Sequence, residues 1–366
     1  MGKKKLSSLN RFQILNIQNK KNDMTNSTKL ATSYQEEISY QPIYSSHRMF
    51  LGLKDLVISF YSRKCQFKCT YCNLSYKSSP ELISFEGIKQ QIDWVFNKYS
   101  DKLDGFQQLS VGNEGSIIDS TRFPKEALNY LLERSHELPA LQILSLETRP
   151  EYISKKIIEE ITGLIHAPAI DVTIGFETQD DHIREVVLKK SIHRKRFESS
   201  VKLLGKLGVR LTCYILLKPA PTMTEREGIL EAIASIEYLA ELSQKHGVDL
   251  IIYLNPMYAA EGTPLLDAFI EHQYKPVRIQ SVLEVVLYAF NLNIPIYTGL
   301  WTESNATMGG DYTTHIDYQP EIREMIKQYN KTQDAALLRP YLGSAEINDE
   351  STSRTISPEL SHGELA

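Results

Sequence analysis

The feature that most constrains the fold is an alternation that runs through residues 54–265. Apolar runs recur at Leu56–Tyr61, Gln108–Val111, Leu141–Glu147, Ile170–Phe176, Arg210–Leu217 and Asp249–Leu254. Helical stretches lie between them, near Glu86–Lys98, Pro124–Arg134, Glu151–Thr162, Asp180–Leu207 (broken near Ser191) and Glu225–Lys245. Thr224 and Glu227 have the spacing of a capping box, and Pro124 suits a first helical turn, where its missing N–H costs nothing. Apolar strands that each lead into a helix predict a parallel sheet covered by helices. Six repeats fall short of an eight-fold closed barrel. The predicted fold class is therefore α/β, a partial (β/α)6 TIM-type barrel with a C-terminal α/β extension; a doubly wound open sheet is the second choice.

The predicted boundaries are a flexible polar tail over 1–45, the core barrel over 46–270, the extension over 271–342 and a second polar tail over 343–366. Within the extension, Pro276–Leu292 and Glu321–Tyr329 read as helices, Ile294–Tyr297 as a short extended piece and Gly299–Tyr318 as a loop around Gly309-Gly310. The formal charge of −4 argues against a chain that coats nucleic acid, while leaving room for a local basic groove. Only four cysteines are present, too few for a disulfide framework in 366 residues. The lysines after Met1 lead into no apolar run, and no window approaches about 18 unbroken apolar residues. A soluble cytoplasmic protein with no membrane partner is the expectation.

Parallel α/β sheets carry their reactive groups just past the C-terminal ends of the strands. Polar residues fall at those places: Gly112-Asn113-Glu114, Glu147-Thr148-Arg149, Glu177, Lys218 and Asn255. After the first strand stands Cys65-Gln-Phe-Lys-Cys69-Thr-Tyr71-Cys72. Soft thiolates so closely spaced suit zinc or an iron–sulfur cluster. Structural zinc normally takes four protein ligands, whereas three satisfy a [4Fe–4S] cluster with one iron left open. A zinc knuckle completed by a distant ligand, His47 or Cys213, is the alternative. Cys213 lies in the apolar run Leu211–Leu217 and otherwise reads as a small buried side chain.

The cysteine spacing, its place after the first strand and Tyr71 before the last cysteine resemble the radical S-adenosylmethionine (radical SAM) superfamily over about residues 54–265. The resemblance implies that Cys65, Cys69 and Cys72 each hold one iron of a single [4Fe–4S] cluster, with SAM chelating the fourth. It implies an enzyme that reductively cleaves SAM to a 5′-deoxyadenosyl radical, which abstracts hydrogen from a substrate. An electron donor such as flavodoxin or ferredoxin is then a required partner.

By the same resemblance, Gly112, Asn113 and Glu114 stand in the segment that receives the SAM amino group, although a second glycine is more usual at Asn113. The stretch Leu146-Glu147-Thr148-Arg149-Pro150-Glu151 resembles the branch containing the elongator catalytic subunit. There Glu147 would meet the ribose hydroxyls and Arg149 the SAM carboxylate. Glu177 would reach the ribose, with Thr178 capping the next helix. Lys218 would face SAM or substrate, and Tyr71 joins the SAM contacts. Asn255 would line the substrate end. No residue is assigned as a catalytic acid, base or hydrogen donor.

Within the branch, the stretch from Ile174 through Leu216-Leu217-Lys218-Pro219 to Asn255-Pro256 is most similar to the archaeosine-forming radical SAM enzymes, which act on a modified base in tRNA. The similarity continues thinly through Met308-Gly309-Gly310 and Lys331-Thr-Gln-Asp334. That family has a C-terminal cysteine pair, and here Asp311–Tyr318 has none. The substrate is accordingly a modified tRNA base or else a small metabolite or peptide. The densest basic run, Lys189-Lys190-Ser-Ile-His193-Arg194-Lys195-Arg196 with Lys202, Lys206 and Arg210, is the candidate RNA patch, or else a solvated outer wall.

Overall fold

The computed structural model describes residues 41–74, 77–113, 115–260, 262–299, 312–313 and 319–341. The predicted tails lie outside these residues except for 41–45, as do Glu114 and nearly all of the Gly299–Tyr318 loop, Met308-Gly309-Gly310 included. In chain order the elements are β1 (Tyr44–Phe50), β2 (Leu53–Phe60), α1 (Phe85–Lys98), β3 (Gln108–Asn113), α2 (Lys125–Arg134), β4 (Ile143–Thr148), α3 (Lys155–Thr162), β5 (Ala169–Glu177) and α4 (Arg194–Lys206). There follow β6 (Arg210–Leu217), α5 (Glu225–His246), β7 (Leu250–Pro256), β8 (Ala259–Ala260), α6 (Pro264–Ile270), α7 (Ile279–Asn291), β9 (Ile296–Thr298), β10 (Tyr312–Thr313) and α8 (Pro320–Thr332).

One eight-stranded sheet runs β1-β2-β3-β4-β5-β6-β7-β9. All pairs are parallel except the β1–β2 hairpin. Strictly sequential parallel order is the winding of a barrel, not of a doubly wound sheet, whose order reverses at a switch point. The sheet curls far enough for its two edges to meet. Arg48 on β1 donates to the Tyr253 hydroxyl on β7 (3.0 Å), and Phe50 lies 4.8 Å from the Tyr297 ring on β9. The edge strands share no ladder, and α8 fills the gap between them. Asn330 exchanges two hydrogen bonds with the Thr298 backbone (2.9 and 2.8 Å) and accepts from the Leu51 N–H at 3.2 Å. The fold is a partial TIM-type barrel, with one more parallel strand than six repeats predict. The seventh is β9, which the sequence shows as the short extended piece Ile294–Tyr297.

The helices form where periodicity places them. In α1, Ile88, Ile92 and Val95 fall at helical spacing and are fully buried, and Ser84 caps the start by accepting from the Gly87 N–H. Burying such side chains contributes about 1.5–3 kcal/mol each. The Thr224–Glu227 capping box has both of its bonds, and α5 ends at Gly247 in the left-handed region (φ 65°), as helices often do. Pro124 sits one place before α2 rather than in its first turn. The break near Ser191 is real: a π-turn over Ile183–Val187 precedes α4. Thr178 does not cap a helix. Its hydroxyl accepts from the Asp180 N–H, and Asp180 in turn accepts from the Ile183 N–H. Among the described residues no helix is long and apolar enough to cross a membrane.

Candidate active site

Inward positions of the barrel carry small or polar side chains, and this keeps its middle open. Ser110, Ser145, Thr173 and Thr212 line a cavity of about 330 Å³. Beneath them two buried carboxylates tie the strands together. Asp55 accepts from Arg48 and Ser110 (2.8 Å each), and Asp171 accepts from Ser145 (2.6 Å), Arg210 (2.8 Å) and Thr212 (2.9 Å). A buried charge stands only where partners compensate its lost hydration, and these partners come from neighbouring strands. Arg210 therefore belongs to the barrel floor and not to a basic surface.

The C-terminal ends of the strands supply the cavity's upper wall: Ser59, Gly112, Glu147, Gly175, Glu177 and Asn255. Gly112 is required by proximity, since a Cβ there would stand 2.8 Å from Glu147 Oε2. Burial pushes the Glu147 carboxyl up to about 7, helped by the Glu177 charge and opposed by Lys190. The β5 ladder shifts register between Gly175 and Glu177, and Glu177 takes a left-handed conformation (φ 73°). Such bulges re-aim a side chain at a strand end; here the carboxylate turns into the cavity.

The cysteine loop closes over this wall. It leaves β2 at Tyr61, whose backbone N–H and C=O are both held by the Gln91 side chain of α1 (2.9 Å each). It returns through Ser79, which donates to the Ser62 carbonyl at 2.9 Å. Between these points Thr70 bonds the carbonyls of Leu188 and Val187 (3.0 Å each), docking the loop on the segment after β5. Cys65, Cys69 and Cys72 are half-buried and unbridged, and Cys72 lines the cavity. A Cβ on Gly115 would stand 3.5 Å from Cys65 Sγ. Burial pushes the Cys69 thiol up, and Lys190 pulls it back toward the thiolate. The buried Tyr71 ring packs with Leu188, Leu216, Met257 and Tyr274, and its hydroxyl donates to Glu177 Oε1 at 2.8 Å.

No group of three or more His, Cys, Asp or Glu side chains among the described residues is gathered into a metal site. The donor set nonetheless suits an iron–sulfur cluster: three soft thiols on one loop, with Cys72 on the wall of the cavity. Asn255, on the cavity wall, has its side-chain Oδ1 buried without a partner, a costly state that a ligand relieves. Nothing similar favours zinc. His47 packs against Tyr99 and Phe106, and Cys213 is buried in the core.

Most of the residues singled out by sequence thus converge on one cavity: Tyr71, Cys72, Gly112, Glu147, Arg149, Glu177 and Asn255. Cys65, Cys69 and Asn113 are not on its lining, and neither is Lys218. A left-handed backbone (φ 63°) turns it away, and its ammonium bonds the Lys275 carbonyl at 2.6 Å over the Tyr274 ring. Lys190, which the sequence places in a basic patch, is instead a cavity residue, paired with Glu177 at 2.6 Å. No periodicity marks it, because it sits on an irregular turn.

The remaining basic run is partly engaged with neighbouring groups of the protein, although Arg196 stays exposed. Arg194 bonds Asp181 and the Gln179 carbonyl, and Arg196 bonds the Pro150 and Glu151 carbonyls. Lys195, Lys202 and Lys206 stay exposed.

No family model matches the chain. It is 26% identical over 302 residues to an uncharacterized protein of Methanocaldococcus jannaschii, covering 80% of each. It is 25% identical over 240 residues to archaeosine synthase subunit beta of Methanosarcina acetivorans, covering 64% of this chain and 67% of that one. Among solved structures it is similar to Methanocaldococcus infernus Elp3 lacking its N-terminus, with a TM-score of 0.47 and 16% identity. That match covers 76% of this chain and 63% of the other, so the chain spans less than two thirds of that structure's length. The named sequence relatives are thus of the archaeosine-forming kind to which the motif resemblance points.

Proposed function

We propose that this chain is a radical SAM enzyme. Cys65, Cys69 and Cys72 hold one [4Fe–4S] cluster, and SAM lies in the cavity beside it. Bound together, the cluster and SAM supply an electron and a 5′-deoxyadenosyl radical that takes hydrogen from a substrate; the chemistry is the cofactors' and the protein orients and shields it. Gly112 and Asn113 offer their backbone to the amino-acid end of SAM, and Glu114 falls in the same segment. Glu147 and Glu177 face the ribose. Asn255 meets the substrate. Lys218, turned toward Lys275, has no part in this reading.

The observation that carries the reading is the bond from Tyr71, between two of the cysteines, to Glu177 at the end of β5 (2.8 Å). It joins the thiol loop to the carboxylate-bearing wall of a cavity, which a merely structural metal knuckle would not need. Anoxic reconstitution with iron and sulfide, followed by dithionite and SAM, tests it. The expected product is 5′-deoxyadenosine, formed by the intact chain and absent when any one of the three cysteines is alanine. In the cell, flavodoxin or ferredoxin fills the dithionite role.

For the substrate, the relatives named archaeosine synthase subunit beta support a modified base in tRNA. A second reading, a small metabolite or peptide, is favoured by two observations: the missing cysteine pair, and the pairing of Arg194 with Asp181. Filter binding with bulk tRNA at two salt concentrations separates them, because phosphate contacts weaken steeply as salt rises. Salt-sensitive retention supports tRNA, and no retention at low salt supports the small substrate.

A further inference from the structure

We infer that the belt of hydroxyls inside the barrel, Ser110, Ser145, Thr173 and Thr212, seats an ammonium group of the substrate, a primary amine on an apolar stem. The inference deepens the reading above by naming the substrate's chemistry. Each hydroxyl has one hydrogen to give and lone pairs with which to accept. All four hydrogens are already spent. Ser110 donates to Asp55 at 2.8 Å, and Ser145, Thr173 and Thr212 donate to Asp171 at 2.6, 3.3 and 2.9 Å. Ser145 and Thr173 also lie 3.1 Å apart, so the Thr173 hydrogen stays within the network whichever acceptor it takes. Ser110 has accepted once, from the Gln108 amide at 3.0 Å. What the belt offers a ligand is therefore acceptors alone. Asn255, on the same lining, adds another, its buried and unpartnered Oδ1.

The charges point the same way. Arg48 meets Asp55 at 2.8 Å, Arg210 meets Asp171 at 2.8 Å and Lys190 meets Glu177 at 2.6 Å, so each of these cations is matched. Lys77 also reaches the lining, from the return of the cysteine loop and not from a strand. Glu147 makes no ion pair among the described residues. It stands two residues beyond Ser145 on the same face of β4. Its register partner on β5 is Thr173, whose own partner on β6 is Thr212. Acceptors and carboxyl thus form one contiguous patch. An anion there meets lone pairs and a carboxyl, and an alcohol brings a single donor. An ammonium brings three donors and the opposite charge. Around the patch the lining carries Val57 and Leu216, which suit an alkyl stem, and the rings of Tyr214 and Tyr253, which tolerate a cation. SAM has an amine of its own, but the reading above lays SAM against the strand ends beside the cysteine loop. The belt is deeper: Ser145 lies two residues before Glu147, and Thr173 four before Glu177.

The test is calorimetric titration of n-butylammonium, n-butanol and n-butyrate, one stem with three head groups, into the anoxically reconstituted protein with and without SAM. The expected result is that n-butylammonium binds about tenfold more tightly than either of the others. Thr173→Val combined with Thr212→Val keeps the shape of the wall and removes two acceptors, and it should abolish the preference. Thr212→Ser, which keeps the hydroxyl, should retain it. If the double variant lacks a cooperative melt, Thr212→Val alone is compared with Thr212→Ser, and the preference should shrink only in the valine variant. The inference is overturned by equal affinities for the three head groups, by no detectable binding of n-butylammonium, or by a preference that survives loss of the hydroxyls. Failure of the SAM reading shows separately, as absent SAM affinity, and leaves the ammonium preference to be read on the same protein.

Discussion

Tyr71 and Glu177 come from segments more than a hundred residues apart and meet in one buried hydrogen bond, hydroxyl to carboxylate, at 2.8 Å. The tyrosine lies between Cys69 and Cys72, and the glutamate ends β5. Through them the position of the thiol loop is fixed relative to the barrel.

Removing that hydroxyl should loosen the loop without emptying the core beneath it. Tyr71→Phe keeps the ring packed against Leu188 and Met257. A lost bond to a buried carboxylate costs roughly 1.5–3 kcal/mol. Urea unfolding should register a loss of that order, and iron retained after desalting should fall. Unchanged stability and iron content would mean that the loop is positioned by other contacts.

The Glu147 carboxyl gives a pH dependence of definite sign. Its folded value, about 7, lies above the ordinary 4.5. The folded state keeps the proton that the unfolded chain gives up, so this group's contribution is fully present below pH 4.5 and is lost as pH rises through 7. At about 1.4 kcal/mol per pKa unit, the loss amounts to ~3.5 kcal/mol. Glu147→Gln, which stays neutral, should flatten the stability profile of the cluster-free protein between pH 5 and 7.5. A variant whose profile parallels wild type would place the titration elsewhere.

Asn330 straps the open side of the barrel, bonding both backbone groups of Thr298 from α8. Asn330→Ala leaves a buried N–H and C=O unpaired, so a loss of about 2–3 kcal/mol is expected in chemical denaturation. If β9 and α8 were loosely attached, the change would be within experimental error.

Gly175→Ala would put a methyl 2.5 Å from Glu177 Oε1 and 2.7 Å from Lys190 Nζ. Separating that pair should weaken SAM binding by about tenfold, or ~1.4 kcal/mol, with a normal melt. Wild-type affinity would show that the pair can move aside freely.

How much of this was legible depends on how local the signal is. Strands β2 to β7 announce themselves because both faces are buried, and all six fall within three residues of their expected limits. Strand β1 does not, because the edge strand Tyr44–Phe50 is mostly half-buried and polar. The cysteine run and the glutamates at strand ends are marked by their chemistry against apolar flanks. Lys190 and Lys218 are misread for one reason. Each lies on or beside a left-handed non-glycine residue, a conformation that sequence does not signal, and so the first is sent into the cavity and the second away from it. Arg210 looked like surface charge because nothing near it in sequence reveals Asp171, its partner across the sheet.

The most direct test of the central claim is metal and sulfide analysis of protein purified without oxygen. Three cysteines holding a cluster predict about four iron and four acid-labile sulfide per chain after reconstitution, both lost on Cys65→Ala, Cys69→Ala or Cys72→Ala. One zinc per chain with no sulfide would contradict the account.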